Sequence, residues 1–429
     1  MTAHTHHSGP AHGGDILGET GEEVIGTSAV ERTAAGEILE PEHELFTINM
    51  GPHHPATHGV LRLVVNLQGE VVKDLRPVMG YVHTGIEKTA EDKAYWKAIP
   101  VVERMDYLAY YFNAMAFCGA VETILDLEVP PRAQYLRVIH MELNRIMSHL
   151  VWLGTTALDL GAISMFWYCF RDREQVLDLF EMSSGQRMHT RYFQVGGVFE
   201  DIPQGWERKV RTYTSTMPDR VDQFLALLMK NEIALQRLRG VAPLDAETLL
   251  AYGVTGPLLR AAGNPFDLRK AEPYSSYEHF DFKVAVGSEG DHYDRYKVRI
   301  EEMRQSLRIV EQALDGLPEG PFIADDRKYV LPPRHELATS MEALIHHFKL
   351  VTEGFRVPPG EVYAAIESPR GELGCFVVAD GSSKPARVHV RDPSFVNLQS
   401  LAPMAEGTLL ADTIASIAML DPILGGVDR

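Results

Sequence analysis

Three histidines lie within six residues in the segment NMGPHHPATHGVLRL, which begins at Asn49. Closely spaced imidazoles are typical of metal sites, and His54 and His58 have the spacing that places two ligands on one face of a helix. Pro55 disfavours helical backbone at His54, however, and no glutamate stands between the two histidines. The segment therefore does not predict a zinc hydrolase. His58 precedes Gly59 at the start of a predicted strand, which suits a side chain that points into a cavity. A loop held by histidine–backbone hydrogen bonds is the alternative.

Two further candidates combine polar chemistry with apolar surroundings. Arg104 and Tyr107 of ERMDYLAYY are three residues apart, so a helix would place both on one face. A buried tyrosine needs a partner for its hydroxyl, and a cavity histidine would serve, although tyrosine is also common in helix cores. Asp159 is the one charge in the apolar segment 151–170. It needs a partner, for which histidine is one candidate; a helix N-cap or an arginine pair is the alternative.

A fourth candidate is the basic segment SGQRMHTRYFQVGG, residues 184–197, with Arg187, His189 and Arg191 near a predicted helix end. In an acidic chain, such a cluster either faces a negative group or forms a solvated turn. The sequence contains no GxGxxG, no GxxxxGK[ST] and no GxSxG motif. We therefore expect that the chain itself binds neither NADH nor ATP.

Composition narrows the class of protein. The chain has 429 residues, 45% hydrophobic and 23% charged, as in a folded globular protein. Its formal net charge of −18 argues against nucleic-acid binding, which calls for a basic surface. The cysteines Cys118, Cys169 and Cys375 are far apart and form no CxxC or zinc motif. We expect no disulfide framework and no iron–sulfur cluster on this chain alone.

The segment 151–170 is also the candidate for a membrane span, and no secretory signal is evident. A charge at the centre of a lipid-spanning helix costs about 2.5–3.5 kcal/mol, and Asp159 stands in that position. Gly154 and Gly161 interrupt the segment further. The sequence therefore predicts a buried helix followed by a bend, and membrane association only through partners.

The order of the patterns predicts an α+β fold, with a mostly helical body and small β-sheets from the N- and C-terminal regions. Residues 1–40 lack apolar periodicity and are expected to form a flexible tail. The remaining residues, 41–429, are expected to form one domain, with an N-terminal sheet at 41–80, a helical body at 87–315 and a C-terminal α/β part at 322–429. Gln68-Gly69 predicts a hairpin, and a continuous helix is expected to end at Gly240.

Several motifs, in order, resemble one family: the D-type subunit, or 49 kDa subunit, of respiratory complex I, the proton-pumping NADH:quinone oxidoreductase. The resemblance extends from about residue 42 to the C-terminus. Its motifs are GPHHPATHGVLRL, GYVHTGIEK, RMDYL, PPRAQYLRVIHMELNRIMSHL, LDLGA, SGQRMH, MRQSLRI, TSMEALIHHFKL, FVNLQSL and DPILGGVDR.

This resemblance implies a fold like that of the large subunit of [NiFe]-hydrogenases, which hold their metal with two Cys-x-x-Cys pairs. The corresponding segments here look like Arg104–Ala109 and Asp421–Gly426, and neither contains a cysteine. A soft-metal site without thiolates is not credible, so we expect no metal on this chain.

The resemblance also implies roles for individual residues. Tyr107 and His58 resemble the tyrosine and histidine that hydrogen-bond the quinone headgroup, and Asp159 resembles the aspartate paired with that histidine. His189 and Arg104 resemble the residues beside the terminal [4Fe–4S] cluster, which lies on a partner subunit. The family's loop has glutamine where this chain has His53, so His53 is given no role, and His54 none either.

Quinone is then the expected substrate, and reduction of quinone is expected to trigger proton pumping. Expected partners are the terminal-cluster subunit, the C-type subunit and the other peripheral-arm and membrane-arm subunits, but no nucleic acid. The expected location is peripheral, on the cytoplasmic side of a bacterial inner membrane. The alternative is a structural scaffold subunit of a related quinone reductase that does not use NADH.

Overall fold

The computed structural model describes residues 45–53 and 58–429. An antiparallel sheet opens this part of the chain, with strands in the order β1 (Phe46–Met50), β2 (Arg62–Gln68) and β3 (Val71–Val78). In β2, Leu63, Val65 and Leu67 are buried and alternate with partly exposed residues, as expected for a strand with one face on the core. The predicted hairpin is confirmed: Gln68 pairs with Val71, and Gly69 has a φ of +63° in the turn.

A helical body follows. Its first helices are α1 (Ile86–Glu91), α2 (Tyr95–Val102), α3 (Tyr110–Leu125), α4 (Pro131–Asp159) and α5 (Ile163–Ser184). After the short antiparallel pair β4 (Phe193–Gln194) and β5 (Gly197–Val198), it continues with α6 (Trp206–Met229), α7 (Glu232–Leu238), α8 (Ala246–Ala251), α9 (Pro257–Ala261), α10 (Leu268–Ala271), α11 (His292–Asp315) and α12 (Met341–Thr352). Helix α4 begins at Pro131, a residue that suits the first helical turn.

The C-terminal region returns to strands and then to short helices. Strands β6 (Gly360–Ser368), β7 (Gly371–Ala379) and β8 (Arg387–Arg391) form an antiparallel sheet in that order. They are followed by α13 (Pro393–Leu398), α14 (Leu401–Ala405), α15 (Leu410–Leu420) and α16 (Leu424–Asp428). The predicted α+β class, with a mostly helical body and small sheets toward both ends, is confirmed.

Two apolar cores hold these elements. The larger contains residues of α2–α6, α11 and the β6–β8 sheet, including Phe112, Leu143 and Ile309. The second joins the N-terminal sheet to the C-terminal helices, for example Leu63 and Val65 with Ile417 and Leu420. Backbone hydrogen bonds between Val72 of β3 and residues 407–408 reinforce that junction. Elements from opposite ends of the described chain therefore share one core.

One local prediction was wrong, and another, the helix and bend over 151–170, holds except for part of its expected burial. The helix expected to end at Gly240 is broken near Lys230, because the Asn231 side chain accepts hydrogen bonds from Ile233 N and Ala234 N and starts a new helix. The apolar segment 151–170 is buried only in part: Ile163 and Trp167, at the start of α5, are 60% and 65% exposed. Of the helices in the described residues, none is long and apolar enough to cross a membrane.

The C-terminal end of α16 is fastened to the loop before α1. The carboxylate of Asp428 accepts hydrogen bonds from the backbone N–H groups of Gly80 and Val82, each at 2.8 Å. The ring nitrogen Nδ1 of His83 lies 2.7 Å from the Asp428 carbonyl oxygen. We call these contacts the C-terminal latch; they fix residues 421–428 against the rest of the chain.

The latch yields a stability prediction. Asp428→Ala removes the acceptor of two backbone donors, so we expect the free energy of unfolding to fall by about 1–2 kcal/mol. The measurement is urea unfolding of the purified chain. Asp315→Ala is the control, because its pair with Arg211 is largely exposed and should change stability by less than about 0.5 kcal/mol. Equal effects of the two substitutions would show that the latch does not stabilise the fold.

Candidate functional site

His58 and Asp159 lie side by side. The distance from His58 Nε2 to Asp159 Oδ2 is 3.7 Å, and the two side chains are 14% and 19% exposed. This separation is longer than a hydrogen bond, and His58 Nε2 has no hydrogen-bond partner among the described residues. The pair is thus close enough for electrostatic attraction and leaves the imidazole nitrogen free for a ligand.

Backbone geometry presents both side chains. His58 has a φ of +50°, in the left-handed region that costs a residue with a side chain about 1 kcal/mol or more, and Gly59 follows at +127°. Asp159 is the last residue of α4, and Gly161, at a φ of +87°, turns the chain toward α5. The alternative of an N-cap at Asp159 is wrong, because the residue ends a helix rather than starting one.

Residues 103–109, between α2 and α3, form a turn, so the prediction that Arg104 and Tyr107 share a helix face is wrong. The Asp106 carboxylate causes the turn, since its Oδ1 accepts hydrogen bonds from Leu108 N and Ala109 N at 3.1 and 3.0 Å. Tyr107 projects from this turn and is 36% exposed. Burial raises the pKa of its hydroxyl, and Asp106 adds to the increase. The phenol is therefore protonated at neutral pH and can donate.

The C-terminal segment joins the loops of His58 and Tyr107. A methyl group at Gly425 would lie 2.5 Å from the Met105 carbonyl oxygen and 3.3 Å from a ring carbon of Tyr107. A methyl group at Gly59 would lie 3.4 Å from Leu424 Cδ1. Neighbouring residues of α16 therefore touch both loops, although no hydrogen bond or ion pair between described residues connects Tyr107 with His58.

A buried arginine holds this arrangement together. Arg370, in the turn between β6 and β7, is 1% exposed. Its Nη1 donates to Asp106 Oδ2 at 2.8 Å, and its Nε donates to the Asp421 carbonyl oxygen at 2.9 Å. The Asp421 carboxylate lies 3.1 Å from Nη2. The turn that carries Tyr107 is thereby tied to the segment that leads into α16. No sequence motif marked Arg370 for this role.

Arg104 and His189 lie near each other. The pKa of His189 is lowered, first by burial and then by the charge of Arg104. The His189 ring also lies beside Tyr110, with ring centroids 5.4 Å apart. By contrast, Arg187 turns outward and pairs with three carboxylates of α5, on Glu174, Asp178 and Glu181. Within the basic segment 184–197, Arg187 is therefore a surface residue, whereas His189 is half-buried.

Glu103 was not singled out by the sequence and stands beside these residues. Its side chain is fully buried, and both carboxylate oxygens accept from Arg191 N at 3.1 Å. Burial raises the pKa of Glu103 from 4.5 to about 7. The charges of Arg104 and Arg191 act in the opposite direction and lower the pKa of Glu103, but less than burial raises it.

The side chains available as metal ligands do not fit a nickel–iron centre. The segments 104–109 and 421–426 offer no thiolate, and Cys118, Cys169 and Cys375 are each buried elsewhere. Within residues 45–53 and 58–429, no group of three or more His, Cys, Asp or Glu side chains is arranged to hold a metal ion. His53 is exposed, and His54 lies outside the described residues.

A well-formed cavity of about 610 Å³ lies away from these residues. It is lined mainly by aromatic and aliphatic side chains, among them Trp96, Phe199, Tyr329 and Phe355, with Arg191 at its edge. His58, Tyr107 and Asp159 do not line it.

Comparisons with known proteins agree with one another. A family model described as "Respiratory-chain NADH dehydrogenase, 49 Kd subunit" matches residues 159–429. The second D-type subunit of the NADH-quinone oxidoreductase of Chloroflexus aurantiacus is 55% identical over 400 residues, covering 92% of this chain and 97% of that protein. The D-type subunit of the NADH-quinone oxidoreductase of Acidothermus cellulolyticus is 48% identical over 433 residues, covering 97% and 98%. The family indicated by the motifs is confirmed.

Glu103 yields a pH-dependent prediction. The folded carboxyl, with a pKa of about 7, retains a proton that the unfolded chain releases near pH 4.5, so folding stability falls as pH rises between these values. Glu103→Gln cannot ionise and escapes this loss. We expect the variant to gain about 2–3 kcal/mol relative to the original chain between about pH 5 and pH 8.

Denaturant unfolding of the purified chain at several pH values measures the effect. Glu361→Gln is the matched control, because Glu361 is exposed on β6 and its replacement should leave the pH dependence unchanged. A stability difference between Glu103→Gln and the original chain that is the same at all pH values would refute the raised pKa.

Proposed function

The chain belongs to the family of the 49 kDa subunit of the respiratory-chain NADH dehydrogenase, and from that premise we propose that it forms one wall of the site where the quinone headgroup is reduced. It is a subunit of an oxidoreductase complex. The proposed headgroup contacts are His58 and Tyr107, with Asp159 as the partner of His58. The proposed frame is that of a [NiFe]-hydrogenase large subunit without its metal.

The observation that carries this proposal is the proximity of His58 and Asp159 at 3.7 Å, at the end of α4. These residues are more than a hundred positions apart in sequence. The junction at Leu424 and Gly425 supports the same site, since it places the Tyr107 turn and the His58 loop on adjacent residues of one segment. The loops of two potential proton donors thus pack on neighbouring residues of α16.

Reduction of a quinone to a quinol takes two electrons and two protons. Electrons alone would leave a dianion, which is strongly disfavoured in a pocket of low dielectric constant. In the proposed site, His58 donates a proton to one oxygen, and Asp159 stabilises the protonated imidazole before transfer. Tyr107 donates to the other oxygen. Because the pKa of the Tyr107 hydroxyl is raised, it gives up its proton only to a strongly basic oxyanion.

Arg104 and His189 are proposed to face the partner subunit that carries the terminal [4Fe–4S] cluster, which supplies electrons one at a time. His189 has a lowered pKa and would be neutral while the cluster is oxidised. A more negative reduced cluster would favour its protonation. The position of the half-buried imidazole beside Arg104 supports this role.

We further propose that proton donation ends the attraction between His58 and Asp159, and that the freed Asp159 begins the signal to the membrane arm. Asp159 is well placed, because it ends the long helix α4 and precedes exposed apolar residues of α5. The proposed partners are the terminal-cluster subunit, the C-type subunit and the other peripheral and membrane subunits. The proposed location is the cytoplasmic side of a bacterial membrane.

Tyr107→Phe tests the headgroup assignment. The variant keeps the ring that packs on Gly425 but loses the donor, so quinone-reductase activity of the assembled complex should fall by about 100-fold. Tyr252→Phe is the control, since Tyr252 has a similar exposure of 39%. Unchanged activity and apparent quinone affinity in Tyr107→Phe would refute the assignment. Failed assembly of Tyr107→Phe would instead favour a scaffold role.

A double-mutant cycle tests the pair. If His58 and Asp159 act as one unit, the loss of kcat in His58→Ala with Asp159→Asn should equal that of His58→Ala alone. Steady-state kinetics of the assembled complex with a short-chain quinone measures the cycle. Losses that multiply would show independent residues and contradict the proposed coupling. Asp315→Asn, at an exposed site on α11, controls for a general effect of removing a carboxylate.

A further inference from the structure

A cluster of buried carboxyl groups surrounds Arg370 directly behind Tyr107. Asp106 and Asp421, which contact Arg370, are 4% and 3% exposed. Asp392, the residue that caps α13, is the third member and is 2% exposed. We call Asp106, Asp392 and Asp421 the carboxyl cluster; its members come from three distant segments of the chain.

Asp392 differs from the other two members because it has no cationic contact. Its Oδ1 accepts a hydrogen bond from Ser394 N at 2.7 Å, and its Oδ2 is directed at Gly426, where a methyl group would collide with it. None of the ion pairs within the described residues includes Asp392, whereas Arg370 binds both Asp106 and Asp421. Burial raises the pKa of Asp392 to about 6, and the charge of Asp106 contributes.

Arg299, on α11, is a second buried arginine near the carboxyl cluster. The residue is 1% exposed, and its Nη2 donates to the Met419 carbonyl oxygen at 2.9 Å. Its Nε and Nη1 are buried and have no hydrogen-bond partner within the described residues. Asp421 and Arg370 both act on its pKa, which burial lowers to about 10. Arg299 thus lies near Asp421 with two unpartnered donors, and among the described residues it forms no ion pair with a member of the carboxyl cluster.

The other arginines nearby already form contacts outside the carboxyl cluster. Arg391, at the end of β8, donates to the Glu372 and Gly253 carbonyl oxygens. Arg429, beyond α16, donates to the Val390 carbonyl oxygen and stacks on Phe395. Three ionised carboxylates would then face two guanidinium groups, and an uncompensated buried charge is costly. Binding of one proton removes that charge.

We propose that Asp392 holds an exchangeable proton for the carboxyl cluster and that this proton controls the readiness of Tyr107 to donate. The inference rests on the proposed role of Tyr107. Asp106 precedes Tyr107 in the chain, and Asp421 leads into the segment that packs on the Tyr107 ring. When the cluster loses its proton, the added negative charge disfavours the phenolate, and donation to the quinone oxyanion slows.

The proton balance is simple. Tyr107 transfers its hydroxyl proton to the reduced quinone oxygen and becomes a phenolate. The phenolate then takes up a proton from water before the next turnover, while the proton of the carboxyl cluster stays in place and acts only through the charge that it neutralises. Neither an electron nor a transferred proton passes through the cluster, so Asp392 is a positioning residue for the chemistry at Tyr107.

Infrared difference spectroscopy of the assembled complex tests whether Asp392 carries a proton. A carboxylic-acid C=O band should disappear as the pH rises through about 6. The band should be absent in Asp392→Asn and in Asp392→Ser, both of which keep an N-cap for α13. Asp315→Asn, at an exposed site on α11, should retain the band. Persistence of the full band in both Asp392 variants would overturn the assignment.

The pH profile of kcat tests whether the proton on Asp392 affects proton donation by Tyr107. In the original complex, kcat should decline as Asp392 ionises; in Asp392→Asn, the decline near that pH should vanish, because the amide stays neutral. A merely structural role would lower kcat equally at all pH values and would overturn the inference. Suppose that Tyr107→Phe abolishes activity while Asp392→Asn keeps the original infrared band and the original pH profile of kcat. The inference then fails, and the proposed function stands. If Tyr107→Phe has no effect, the proposed function fails first.

Discussion

The ion pair and hydrogen bonds of Arg370 are the interaction on which the candidate site depends. One guanidinium binds Asp106 at 2.8 Å and the Asp421 carbonyl oxygen at 2.9 Å, and these residues begin the two segments that meet at Gly425. Removal of one partner from such a buried pair costs about 3–5 kcal/mol, because the other charge is left unpaired. The pair therefore fixes Tyr107 more firmly than its exposed position in a turn would suggest.

The packing of the N-terminal sheet also supports the segment 421–428, which contacts both loops of the site. The N-terminal sheet shares its core with α15, whose last residue, Leu420, precedes Asp421. The C-terminal latch fastens α16 at its other end, through Asp428. The segment from Asp421 to Asp428 is thus held at both ends, and its glycines allow the Met105 carbonyl and the Asp392 carboxylate to approach closely. Both loops of the site rest on this fixed segment.

Local patterns predicted the fold class, and the motifs predicted the family. The order of the apolar patterns indicated a helical body with small sheets, and Gln68-Gly69 indicated the hairpin between β2 and β3. The turn at 103–109 was not predicted: its cause is the Asp106 side chain, which satisfies backbone N–H groups that a helix would otherwise use. Glu103, Arg370 and Asp392 acquire their chemistry from burial and distant partners, which no single segment of sequence reveals.

In the frame that we propose, the segments at 104–109 and 421–426 stand where a hydrogenase would hold a metal with thiolates. A metal ion would cross-link such segments by coordination. Here Arg370 links the segments, with carboxylates in place of thiolates and ion pairs in place of coordination. An arginine in place of a metal ion changes the chemistry of the region as well as the way its two segments are held together. A metal centre stores electrons, whereas the buried arginine among three carboxyl groups would, in the proposed role of Asp392, hold a proton. The proposed quinone site would receive electrons from a partner and need protons from its own residues.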